Sequence, residues 1–230
     1  VDTEFTAHVD SKGEVKVCLL QCRSLSVPGA AGEVKLPEDV ASERVLFRSA
    51  NFTSGGVVTD VRYILYMDPV AYSRSSLDER KSLGRVVGLI NNHPSVVEGK
   101  IIMMGPARWG STNLELGVNV GFSDICNAGV LVEVAREDRG HVPEVSYGTH
   151  FFQDLVEAQI IYLPVYPSDA ETQFTERFFS KGPNVLATLL PDAGSYTDLI
   201  KLIDVPASSG GLHAQLMADP HSRRAICFLR

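Results

Sequence analysis

The chain has 230 residues, 44% of them hydrophobic and 21% charged, with a formal net charge of -7. That is apolar enough for a sizeable core, and it excludes the highly charged, weakly apolar composition of disordered chains. The acidic balance and the absence of a basic block argue against a nucleic-acid partner. No run of apolar residues is long enough for a membrane span, and the start lacks a basic leader and an apolar signal core. The start also lacks an initiator Met, so a chain cut from something longer is expected, with a cytoplasmic setting. Of Cys18, Cys22, Cys126 and Cys227, the first two lie four apart, but the second close pair that a zinc site would want is missing. Buried, reduced thiols are expected, with Cys18 and Cys22 on one face of a strand.

In chain order, residues 4–7 and 14–21 read as two strands joined by the polar turn Asp10-Ser11-Lys12-Gly13, a hairpin with more than two loop residues. A Pro/Gly-rich stretch from Val27 to Gly32 follows. The expected organisation is a hairpin over 1–26, a linker over 27–43 and a downstream domain over 44–230. In that domain 44–50 and 57–67 read as strands, the second ending at Asp68-Pro69. Ser76 and Glu79 have capping-box spacing and open a helix carrying Leu83, Val86, Val87 and Ile90 on one face, ending near Asn91-Asn92. Strands are expected at 100–104, 130–134, 160–165 and 225–229, and helices at 150–158 and from Ser195 or Thr197 through Ile203. The fold class is α/β or α+β, a mixed sheet with flanking helices, preceded by the hairpin.

Three groups of residues carry chemistry. Alternation puts Asp2, Glu4 and Thr6 on one face of the first strand, and Gln21 and Arg23 on one face of the second. Should the faces coincide, two carboxylates, an amide and a guanidinium converge: oxygen ligands for magnesium and a fork for phosphate. The same pattern also suits a solvated hairpin with weakly paired charges. The second group is Gly105-Pro106-Ala107-Arg108-Trp109-Gly110-Ser111 after an apolar strand, with Asp124, His150 and Gln153 further on. Glycine-rich turns at strand carboxyl ends are where open α/β sheets place ligands. Arg108, Ser111 and His150 then suit a small phosphorylated or carboxylate ligand, with Thr149 as a helix cap. The competing reading is a structural loop with Trp109 in the core. The third is Gly210-Gly211-Leu212-His213-Ala214, where a structural His213 is favoured over a phosphate carrier.

The sequence Asp2-x-Glu4-Phe5-Thr6, a turn, then Leu20-Gln21-x-Arg23 resembles the closing hairpin of the ATP-grasp nucleotide-binding domain of the phosphoenolpyruvate synthase and pyruvate phosphate dikinase family. The resemblance covers about the first 26 residues, with Ser24 where the family has Pro or Asn. It implies ATP and Mg2+ as cofactors, with Glu4, Gln21 and Asp2 at the metal–triphosphate site and Arg23 facing the phosphates as the catalytic residue. It also implies an upstream ATP-grasp portion as partner, so that this chain alone is inactive. The 105–111 and 148–153 segments are similar to a downstream region of phosphoenolpyruvate synthase-like proteins, which carries no residue roles. The expected function is a fragment of an ATP-dependent phosphotransferase. The alternative is a small-anion-binding regulatory or interaction domain using the Arg108/His150 loops.

Overall fold

The computed structural model describes residues 2–23, 34–50, 52, 55–106, 108–135, 150–168 and 172–230. Strands β1 (Asp2–Val9) and β2 (Val15–Arg23) pair antiparallel. Asp10 organises the turn: its carboxylate accepts from the N–H groups of Lys12 at 2.8 Å and Glu14 at 2.9 Å. Gly13 closes the turn at φ +83°, where a side chain would be strained. Glu4 stands opposite Gln21 and Phe5 opposite Leu19, so Leu20 is an extra residue, a β-bulge.

That bulge resets the alternation of β2. One face carries the pairs Phe5/Leu19, Ala7/Val17 and Val9/Val15; the other carries Glu4/Gln21, Thr6/Cys18 and His8/Lys16. It also corrects the expectation that Cys18 and Cys22 share a face, because Cys22 stands opposite Thr3 on the other one. Burial of the thiols is corrected too: Cys18, Cys22 and Cys126 are exposed, and only Cys227 is buried.

The rest of the described chain runs in order β3 (Val45–Ala50), β4 (Gly56–Val61), β5 (Tyr63–Met67), α1 (Pro69–Arg74), α2 (Leu77–Asn91), α3 (Pro94–Gly99), β6 (Ile101–Pro106), β7 (Arg108–Trp109), β8 (Gly117–Val118), β9 (Ala128–Val134) and α4 (His150–Glu157). It continues with β10 (Ile161–Val165), α5 (Glu176–Lys181), α6 (Leu186–Leu189), β11 (Ile200–Asp204), α7 (Val205–Ser209), β12 (Ala214–Asp219) and β13 (Arg224–Leu229). A five-stranded mixed sheet has the order β10-β9-β6-β5-β11, parallel except for β11. A four-stranded antiparallel sheet has the order β3-β13-β12-β4.

The parallel strands advance steadily across the mixed sheet from β5 to β10. Right-handed crossovers in one direction put the connecting helices on one face. The side-chain alternation agrees. Leu65, Met103, Leu131 and Tyr162 share a core with Leu83, Val87 and Ile90 of α2 and Phe152 and Leu155 of α4. Ile64, Ile102, Val130 and Leu163 point the other way, into a second core with Phe47, Val61, Leu216 and Cys227 of the antiparallel sheet. The result is three layers: helices, mixed sheet, antiparallel sheet. Val34 is buried, and Leu36 and Val40 pack on Val45, Ile226 and Phe228, so residues of the expected linker cover the outer side of the antiparallel sheet.

Helix α2 follows its sequence signals closely. Ser76 Oγ accepts from Glu79 N–H, and the Glu79 carboxylate accepts from Ser76 N–H at 2.7 Å. Two expectations needed correction, while the strand end expected at Asp68-Pro69 is present. The apolar run 57–67 is two strands in different sheets, broken at Arg62, whose N–H donates to Gly99 O at 2.7 Å. Asp68-Pro69 opens α1, with the Asp68 carboxylate accepting from Val70 and Ala71 N–H groups. Residues 200–203 form β11 against β5, because Ile200 and Leu202 complete the helix-side core of the sheet edge. Among the described residues no helix is long and apolar enough to cross a membrane.

Candidate functional site

The hairpin register decides whether the first group of residues can act together. Directly opposed residues of an antiparallel pair share a face. Asp2 stands opposite Arg23 and Glu4 opposite Gln21, so all four are brought to one face at the open end of the hairpin. Glu4 is exposed and Gln21 half-buried. Of the four, Glu4 and Gln21 bring a carboxylate and an amide to that face. Among the described residues no cluster of three or more His, Cys, Asp or Glu side chains is placed to hold a metal ion. A cation bound here would draw its remaining oxygens from phosphate or water, as magnesium commonly does.

The second group lies on neighbouring segments: the Phe151 ring at the start of α4 packs over Gly110, where a Cβ would lie 2.7 Å from it. Arg108 and Trp109 form β7 beside β8, with Gly110 at φ +75°. The Trp109 indole is buried and its N–H donates to Val132 O at 3.0 Å, so Trp109 is a core residue. Its ring occupies the space over Gly105, where a Cβ would lie 2.6 Å from it. The glycine at the end of β6 thus makes room for tryptophan, as the structural-loop reading supposed. Ser111 is engaged in its own turn, donating to Asn113 O at 2.9 Å and accepting from Asn113 N–H at 3.2 Å. Asp124 lies over Gly88 of α2 and accepts from Gly121 N–H at 2.8 Å. Gln153 is half-buried on α4, and His150 begins that helix. Thr149 and Ala107 lie outside the described residues.

Close to β7 is a feature that the sequence did not single out. Glu133, on β9 beside Gly105, is buried and accepts a hydrogen bond from the Tyr162 hydroxyl. Burial raises the Tyr166 phenol above its usual range, and the Glu133 charge adds to that shift. The available signal was one acidic residue inside the apolar run Val130–Val134. Arg62 and Asp204 were missed as well. They form an ion pair at 3.0 Å that ties the start of β5 to the end of β11, and Asp204 also caps α7 through Ala207 N–H. The hydrogen bond and charge of Asp204 raise the Arg62 pKa.

His213 sits beside the last strand, exchanging backbone hydrogen bonds with Arg230 at 2.9 Å in each direction. It precedes β12 directly, and Gly210 and Gly211 take up positive φ at the end of α7.

No protein-family model matches this chain, and no curated protein or solved structure does either.

Proposed function

We propose that the chain is part of an ATP-dependent phosphotransferase resembling phosphoenolpyruvate synthase and pyruvate phosphate dikinase, a cytoplasmic protein whose hairpin supplies contacts to a metal-bound triphosphate. The observation that supports this is the register placing Asp2 against Arg23 and Glu4 against Gln21. Phosphoryl transfer is mostly positioning and charge neutralisation. Glu4, with Asp2 and Gln21, would hold Mg2+, and the Arg23 fork would neutralise phosphate oxygens. Four residues on one open face make only part of a nucleotide cradle, so the chain by itself is expected to bind weakly and turn nothing over.

The alternative, a small-anion domain built on the Arg108/His150 loops, has less support. Ser111 is spent on a local turn and Trp109 on the core. Calorimetric titration with Mg-ATP separates the two. The expected result is a weak saturable heat, abolished in the Glu4→Ala/Arg23→Ala variant and unchanged in Arg108→Ala. Heat lost only with Arg108→Ala would move the ligand to the downstream domain, and silence from every form would remove the nucleotide role from the hairpin.

A further inference from the structure

The outer face of the antiparallel sheet is covered at one end only, where Leu36 and Val40 pack on Val45, Ile226 and Phe228. Towards the β12–β13 turn the covering segment and the sheet stand apart. A cleft of about 1190 Å³ opens between them, large enough for a small-molecule ligand. One wall is the segment from Val34 to Glu38, and the other is formed by the ends of β3 and β12 and the start of β13.

The strand register brings two arginines together on the sheet wall. Arg224 stands opposite Ala50, and Ile226 opposite Arg48. Residues two apart on a strand share a face, so Arg48 and Arg224 lie on the outer face with Ile226, as diagonal cross-strand neighbours. Such neighbours are about 7–8 Å apart, a gap that two arginine side chains bridge easily. Both line the cleft, and among the described residues neither makes an ion pair. Arg48 is half-buried and its Nε donates to Gln173 Oε1 at 3.4 Å, which leaves its two Nη groups for a ligand. The nearest carboxylate in register is engaged elsewhere. Asp219 stands opposite Arg224, but it accepts from the His221 N–H at 3.0 Å and the Ser222 N–H at 3.1 Å within the turn. On the facing wall Lys35 and Glu38 are exposed and offset one another in charge.

We propose that this cleft binds a small organic phosphate monoester, with Arg48 and Arg224 holding the phosphate and the organic part lying along Leu36 and Pro37. A single carboxylate fills one guanidinium fork and leaves the second positive charge unmet. A phosphate dianion has three terminal oxygens and the charge to satisfy both forks. Leu36 and Pro37 are half-buried on the facing wall and supply the apolar surface for the ligand's body. The site lies wholly within the two-sheet unit, and so is independent of the nucleotide reading of the hairpin.

Phenyl phosphate is the probe, titrated into the 230-residue chain while backbone amide resonances are followed by NMR. Saturable shifts are expected at Ala50, Arg224 and Ala225. Arg224 is exposed, so Arg224→Ala leaves the fold intact, and affinity should fall on the order of tenfold. Arg224→Lys, which keeps the charge and loses the fork, should recover only part of that loss. Inorganic phosphate lacks the apolar body and benzoate lacks the charge for two forks, so each should bind more weakly than phenyl phosphate. Glu4→Ala and Arg85→Ala should leave the titration unchanged, which separates failure here from failure of the hairpin reading. The proposal is overturned by shifts that sodium chloride reproduces at matched ionic strength, or by the absence of saturation at these three residues. Benzoate binding as tightly as phenyl phosphate, or an Arg224→Ala variant that binds as before, would overturn it equally.

Discussion

The hairpin and the two-sheet unit solve the same problem in opposite ways. The hairpin's strands have one apolar face, and those of the mixed sheet are apolar on both. In the unit each such face meets another layer: Leu65 and Met103 meet α2, and Ile64 and Ile102 meet the antiparallel sheet. In the hairpin the apolar face stays open, with Phe5 60% and Val17 64% exposed. A lone two-stranded hairpin is marginal in water, because ordering its backbone is offset by little burial. Local patterning is equally good in both regions, so what separates them is burial.

Thiol chemistry offers the widest test of that contrast. Cys227 lies in the inter-sheet core, and burial pushes its thiol pKa up; Cys18 and Cys22 lie on the exposed hairpin. A thiol reagent on the native chain should modify Cys18, Cys22 and Cys126 rapidly. Cys227 should react only through opening of the unit, on the order of a thousandfold more slowly or beyond. Mass-mapped labelling checks this, and fast reaction at Cys227 would mean the two sheets do not pack as described.

Truncation of single side chains is the next largest effect. Leu83→Ala removes a fully buried side chain from the helix-side core and should cost about 2–5 kcal/mol in denaturant unfolding. Phe5→Ala, at an open position, should leave that same unfolding curve within about 0.5 kcal/mol. Equal losses in the two variants would show that the hairpin face is covered in solution.

The smallest effect is at the start of α2. Ser76→Ala should cost about 1 kcal/mol at neutral pH, the usual value of a helix cap. Its pH dependence has a definite sign. The Ser76 backbone and side-chain hydrogen bonds lower the Glu79 pKa, so this carboxylate stabilises the fold above its unfolded pKa and stops doing so as pH falls through the lower, folded value. Ser76→Ala removes the hydroxyl's hydrogen bond to the Glu79 carboxylate and keeps the backbone one, so the gap between native and variant should narrow in acid, and a gap that does not change with pH would rule out the hydroxyl contact.

How much was legible in sequence follows from the range of the interactions. Helix α2 was readable because Ser76, Glu79 and the apolar stripe from Leu83 to Ile90 act within one element. The split of 57–67 was not, because its cause is tertiary: Arg62 N–H reaches Gly99 O while β4 pairs with β12 and β5 with β6. Strand β11 looked helical for a related reason, since its pairing partner β5 lies far upstream. At the candidate site, alternation grouped Asp2 with Glu4 and Gln21 with Arg23, and the register joined the two groups. The close approach of the 119–124 segment to α2 was invisible because it depends on two glycines, Gly84 and Gly88, whose role is to be small.

The pairing of β13 with β3 has a consequence for how the unit can be rewired. Val45 stands opposite Phe228, so the first and last strands of the two-sheet unit are neighbours in one sheet. Entry and exit of the chain are thus side by side, like the two pins of a plug. A short bridge could close the unit into a ring, and the ring could be reopened at an exposed turn such as that between β12 and β13 without unthreading a strand. The order in which its strands are connected is separable from the packing that holds it together.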